Sequence, residues 1–125
     1  MKYLLLIYGN EASMEAYRAN TPPDQQAAEA KVWYEYGDWL KEKGWYLAGE
    51  ALQPTATATS VRAADGKPIV TDGPFAETKE QLGGYYLLDV ANADDAIEAG
   101  SRCPGAMFGT IELRPIQDFP DQLQG

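Results

Sequence analysis

The chain has 125 residues, 19 acidic against 10 basic side chains, a net charge of -9 and no histidine. A chain of this length buries roughly two thirds of its unfolded surface in one core, so a single domain over residues 1–118 is expected, with a C-terminal tail over 119–125. The charge excludes the phosphate-neutralising chemistry of nucleic-acid binding and attraction to anionic membranes. Without imidazole, Ser-His-Asp and Cys-His nucleophile systems are excluded within the chain, and zinc or non-haem iron loses its usual ligand. No metal and no cofactor are expected, although a carboxylate-bound Mg²⁺ stays open. Cys103 stands alone, so no intramolecular disulfide forms, and it reads as a small packing residue. The apolar run Leu4 to Ile7 is too short for a signal peptide, and a cytoplasmic location follows.

In chain order, Tyr3 to Tyr8 reads as the first strand. Thr21-Pro22-Pro23-Asp24 reads as a helix start, with Thr as the cap and Pro at the first helical position. That helix runs to about Lys43. Ala28, Val32, Tyr36, Trp39 and Lys43 form its stripe, widened by Trp33 and Leu40, and Gly44 is its stop. Trp45 to Ala48 is a short second strand. Pro54 breaks the chain, and Thr55 to Arg62 has high β propensity with little apolar bulk. Asp65-Gly66 signals a hairpin returning through Ile69 to Thr71. Gly84 to Val90 is the strongest strand. Asn92 opens a helix ending near Cys103-Pro104-Gly105, and Thr110 to Ile116 is the last strand.

This order, β-α-β-β-β-α-β, predicts an α+β fold: a ferredoxin-like antiparallel sheet with both helices on one face and an inserted β-hairpin. The first strand is apolar at Leu4 and Leu6 and also at Leu5 and Ile7. Tyr85 and Leu87 point to one face, Tyr86 and Leu88 to the other. A sheet wetted on one side alternates cleanly; this one does not. The helices cover one face, and a second copy of the chain is the economical cover for the other. A homodimer is therefore expected.

The candidate site is the corner Asp72-Gly73-Pro74-Phe75, with Ala76-Glu77-Thr78-Lys79-Glu80 behind it and Gly83-Gly84-Tyr85-Tyr86 following. Asp72 reads either as a turn residue accepting a backbone N–H or as a general base or ligand anchor. Phe75 reads as a core anchor. Glu77 is the best of the neighbouring charges for an acid–base pair with Asp72, because two carboxylates in one partly buried cleft repel and one holds a proton. Lys79 would neutralise Asp72 or hold an anionic substrate. Tyr8 and Glu50, at the ends of strands one and two, and Tyr85 are further candidates for lining the cleft. Arg114 shares a face with Glu112, two residues away, as an ion-pair partner or a carboxylate-binding fork.

The block from Asp72 to Tyr86 resembles the signature of the DGPF branch of the YCII-related proteins, and Glu112-Leu113-Arg114-Pro115 is similar to a second signature of that family. The resemblance runs from Tyr3 to about Ile116. It implies a dimeric α+β barrel with two sheets face to face, and a site at Asp72. YCII-like proteins are often credited with a histidine–aspartate pair; here any such proton transfer falls to Asp, Glu or Tyr. Some look like lyases acting on halogenated aromatic diols, an activity that does not carry over without the histidine. Dimeric α+β barrels also resemble cofactor-free oxygenases.

Three functions follow. The first is a cofactor-independent enzyme of lyase or isomerase type, acting on a small polar or aromatic ligand. The second is a non-catalytic ligand-binding or regulatory module, since the DGPF resemblance carries an association with alternative sigma-factor regulation. The third is a structural dimer with an inactive site.

Overall fold

A computed structural model of the chain describes residues 1–119. Of the expected tail over 119–125, residues 120–125 lie outside the described residues. Strand β1 (Lys2–Gly9) runs through the middle of a four-stranded antiparallel sheet. Strand β5 (Gln81–Asp89) pairs with it on one side and β6 (Thr110–Pro115) on the other, with β2 (Tyr46–Ala51) beyond β5. The order β2-β5-β1-β6 is the ferredoxin-like α+β arrangement. The inserted strands β3 (Thr59–Ala64) and β4 (Lys67–Asp72) pair only with each other, as a separate two-stranded arm.

Helix α1 (Glu11–Ala19) is absent from the expectations above. It buries no residue, so no apolar stripe announces it. Its signal is the cap: the Asn10 side chain accepts from the Ser13 N–H at 2.8 Å. This helix changes the role of Thr21. Thr21 is not the cap of α2 (Pro23–Glu42); its hydroxyl donates to the Tyr17 carbonyl at 2.5 Å, at the end of α1, and Pro22 holds the cap position in extended geometry. The packed stripe of α2 also differs from the expected one. Tyr36 and Leu40 are buried and Trp33 and Trp39 pack beside them, while Val32 is 50% exposed and Ala28 is exposed. Gly44 takes φ +74°, the left-handed stop expected of it.

Helix α3 (Ala93–Arg102) opens on Asn92, whose side chain accepts from the Asp95 N–H at 2.9 Å. It seats on β6 through small residues. Ala96, Ala99 and Gly100 are buried, and a Cβ on Gly100 would lie 3.4 Å from Ile111 and Leu113. The core therefore fills the space between the helices and one sheet face, from Tyr3, Leu5, Leu88 and Val90 below to Tyr36, Leu40, Trp45 and Cys103 above. The Tyr36 hydroxyl donates to the Ala99 carbonyl at 2.6 Å. Among the described residues no buried side-chain polar atom lacks a partner. Burial pushes the Cys103 thiol pKa up, which suits a packing residue.

The opposite face carries no helix. Register places Ala48, Leu87, Leu4 and Arg114 in one row across the four strands, and Glu50, Tyr85, Leu6 and Glu112 in the next. This face is apolar in the middle and charged toward its edges. Tyr85 and Tyr86 do point to opposite faces, Tyr86 packing its ring edge-to-face on Tyr36 at 5.5 Å.

The arm turns at Asp65 (φ 52°) and Gly66 (φ 75°), two consecutive left-handed residues that a tight hairpin needs. Before it, Thr55–Thr57 is a short 3-10 turn rather than the start of a strand. The Glu11 carboxylate holds that turn, accepting from the Thr55 N–H at 2.9 Å and from its hydroxyl at 2.7 Å. Phe75 is not a core anchor: it is 82% exposed, because the chain after the arm runs over the surface.

Candidate functional site

Tyr8 is the penultimate residue of β1, on the open face, and alternation along β6 puts Thr110, Glu112 and Arg114 on that same face. Tyr8 stands opposite Thr110 and diagonal to Glu112, a separation an aromatic side chain spans. Its hydroxyl donates to Glu112 Oε1 at 3.2 Å. Arg114 Nε donates to Glu112 Oε2 at 3.1 Å. One carboxylate is thus gripped on both oxygens by different donors. The expected Glu112–Arg114 ion pair is present, and the Arg114 side chain remains 68% exposed. Burial, then the hydrogen bond and charge of Glu112, raise the Tyr8 pKa above its ordinary value, against a smaller opposing effect of Arg114. Tyr8 therefore stays a protonated donor at neutral pH.

A second carboxylate reaches this corner. The segment before β5 is tied down by short contacts: the Asn10 side chain donates to the Lys79 carbonyl at 3.1 Å, and the Glu11 N–H donates to Gln81 Oε1 at 2.9 Å. These bring Glu80 Oε1 to the Thr110 hydroxyl, which donates to it at 2.7 Å. Thr110 and Glu112 are about 7 Å apart along the strand. The polar corner is therefore Tyr8, Glu80, Thr110, Glu112 and Arg114.

The other sequence-derived candidates fall around it. Tyr85 lies in the same row as Leu6 and Glu112, half-buried on the open face. Glu50 ends that row on the far edge strand, three strand spacings or about 14 Å from β6. Lys79 contributes its backbone carbonyl to the corner, while its side chain is exposed. Asp72 and Glu77 are exposed, and no hydrogen bond or ion pair engages either carboxylate among the described residues. The turn at Asp72 is held by the backbone: the Gly73 N–H donates to the Ala58 carbonyl at 2.7 Å, and the Ser60 hydroxyl donates to the Gly73 carbonyl at 2.8 Å. Gly73 takes φ +94°, which accounts for glycine at that position.

Sequence pattern alone pairs Glu112 with Arg114 but does not mark it as the centre of a cluster, nor Glu80 as its neighbour. The available signal was the alternation Thr110, Glu112, Arg114 on the last strand, three polar side chains on a face that the first strand makes apolar. Among the described residues no three His, Cys, Asp or Glu side chains converge to hold a metal ion.

Fold and corner together define a class: a ferredoxin-like α+β domain with a carboxylate-centred polar corner on its helix-free face. Residues 1–120 match the YCII-related domain. An uncharacterised protein of Rhizobium meliloti (strain 1021) is 35% identical over 118 residues, 93% of this chain and 92% of that protein. The chain belongs to the YCII-related family. Among the described residues, no helix is long and apolar enough to cross a membrane.

Proposed function

We propose that the protein acts as a homodimer whose open sheet faces enclose a cleft, and that it performs cofactor-independent acid–base chemistry there on a small anionic or phenolic molecule. The observation that carries this reading is Glu112, held between a phenol and a guanidinium on the helix-free face. Arg114 orients the carboxylate and keeps further N–H groups for a substrate carboxylate or phenolate. Glu112 would take a proton from a substrate carbon beside a carbonyl. Arg114 would steady the negative charge developing on that oxygen. Glu112 would then return the proton at another carbon, or a leaving group would depart: isomerase or lyase chemistry. Asp72 and Glu77 would act at the rim of the same cleft.

The helix-free face supports the dimer: Leu4, Leu6, Tyr85 and Leu87 form its apolar middle, which a sheet face left to water does not need.

The test is solvent-deuterium exchange into a panel of small keto acids and phenolic ketones. Exchange is expected with the wild-type protein and lost in Glu112→Gln. Saturable binding without exchange would favour the alternative, a ligand-binding or regulatory module. The satisfaction of both Glu112 oxygens by protein donors speaks for that second reading. Sedimentation at micromolar concentration checks the assembly, and a clean monomer would sink the dimer.

A further inference from the structure

The arm leaves an apolar face uncovered. Cross-strand register puts Thr59, Val61 and Ala63 opposite Asp72, Val70 and Pro68, all six on one face. Val61 and Val70 meet directly and are 63% and 62% exposed. Every residue of β4 is exposed, and Ser60 alone in β3 is not. A lone two-stranded ribbon is marginally stable in water. An apolar face on such a ribbon calls for a layer against it, and the described residues of its own chain supply none.

We propose that the arm of each subunit crosses onto the other, so that Val70 and Asp72 of one chain roof the Tyr8–Glu112–Arg114 corner of its partner. This rests on the homodimer reading above and adds which residues each chain lends the other. Position supports it. The arm springs from the end of the sheet where β2 stops, β5 starts and β1 ends at Gly9, beside Tyr8. The corner lies at that same end, on the opposite edge of the sheet, at β6. A two-fold axis running along the strands, midway between two facing sheets, sets the β2 edge of one chain over the β6 edge of the other at the same end. The root of each arm then lies above the other's corner, and the exchange is mutual, as two-fold symmetry requires.

Charge points the same way. The Asp72 carboxylate is unengaged among the described residues, and it shares the arm face with Val61 and Val70. Arg114 is engaged through Nε alone and stands exposed, a complementary charge for the partner subunit's Asp72. An Arg114 held from both sides, beneath a valine roof, makes a slot for a planar acid or phenol rather than an open patch. Asp72 is then a positioning residue that acts through Arg114.

Thiol crosslinking tests this. The variant Asp72→Cys/Thr110→Cys is treated with a short bis-maleimide and compared with each single variant; Cys103 is buried and contributes little background. A covalent dimer in the double variant, absent from both single variants, is expected. An internally linked monomer, identified by mass, would overturn the proposal by placing the arm over its own sheet. A covalent dimer from Asp72→Cys alone would overturn it by placing the two arms against each other. Absence of any crosslink in a double variant that still sediments as a dimer would overturn the arm placement and leave the homodimer standing. Wild-type protein sedimenting as a monomer would instead remove the homodimer reading itself.

Discussion

Leu5 and Leu6 are neighbours on β1 with the same side chain, and they face different worlds. Leu5 is fully buried under α2 and α3, in a layer with Tyr3, Leu88 and Val90. Leu6 lies half-buried on the other face, in the row that ends at Glu112. The helix-covered face is finished within one chain: apolar, closely packed, its buried hydroxyl paired to a carbonyl. The open face has the same aliphatic content but ends in charges and a phenol. One sheet thus separates two tasks. One side supplies stability, and the other keeps polar groups that a solvent-facing sheet does not need.

That contrast can be broken at several points. The largest effect is expected from Leu5→Ala, which leaves a cavity in the finished face. It should cost about 2–5 kcal/mol in urea unfolding at fixed protein concentration. A loss below about 1 kcal/mol would mean that this face is less closely packed than its burial implies.

Alkaline pH should attack the same face. Burial first, then neighbouring Cys103 and Tyr46, push the Tyr86 pKa up to about 12, and burial also raises that of Tyr36. The ordinary phenol pKa is about 10. Below pH 10 the folded and unfolded states both hold the proton, and the stability is intact. Between pH 10 and 12 only the unfolded chain ionises, so stability falls as pH rises, by about 1–2 kcal/mol for the half-buried Tyr86 once solvent screening is allowed for. Denaturant titrations across that range should show the slope, and Tyr86→Phe should reduce it.

Leu6→Ala sharpens the comparison most directly. With a second copy over the open face, the melting temperature falls on dilution, and this variant lowers it further, by about 1–3 kcal/mol in equivalent stability. A concentration-independent melt with a negligible loss would return the open face to solvent.

The smallest effect is expected at Asp72. Its carboxylate anchors nothing among the described residues of its own chain, and a pair with the exposed Arg114 of the partner subunit adds little, so Asp72→Ala should keep the melting temperature within about 3 °C of wild type. A clear drop would mean that the turn depends on this side chain and not on Gly73 and Ser60.

Much of the fold is written in local pattern. Asn92 and Gly44 mark helix ends by chemistry that works within a few residues, and Asp65-Gly66 marks its turn in the same way. The double-sided apolar content of β1 and β5 was legible too, because strand alternation is strict. Helix α1 was not, since it buries nothing and carries no periodic apolar stripe. Phe75 misled for a related reason. A large aromatic side chain suggests a core position, but only the path of the chain after β4 decides whether a core is within reach. Val32 misled because a stripe read from spacing does not say which of its flanks meets the sheet.

The candidate site divides along the same line. Arg114 with Glu112 was readable as an i, i+2 pair on one strand, and Tyr8, Tyr85 and Glu50 were readable as strand-borne side chains. Their sequence positions are far apart, and the register of β1 against β5 and β6 decides that Tyr8 meets Glu112 while Glu50 stands at the other edge. Glu80 reaches Thr110 only because Asn10 and Glu11, at the start of an unforeseen helix, hold the segment before β5. By itself the sequence determined the helix stops, the turn and the two-faced strands, because capping, left-handed glycines and alternation act over a few residues. The tertiary structure decided which carboxylates meet a donor, because hydrogen bonds between strands depend on register and on the loops that bring distant segments to one corner.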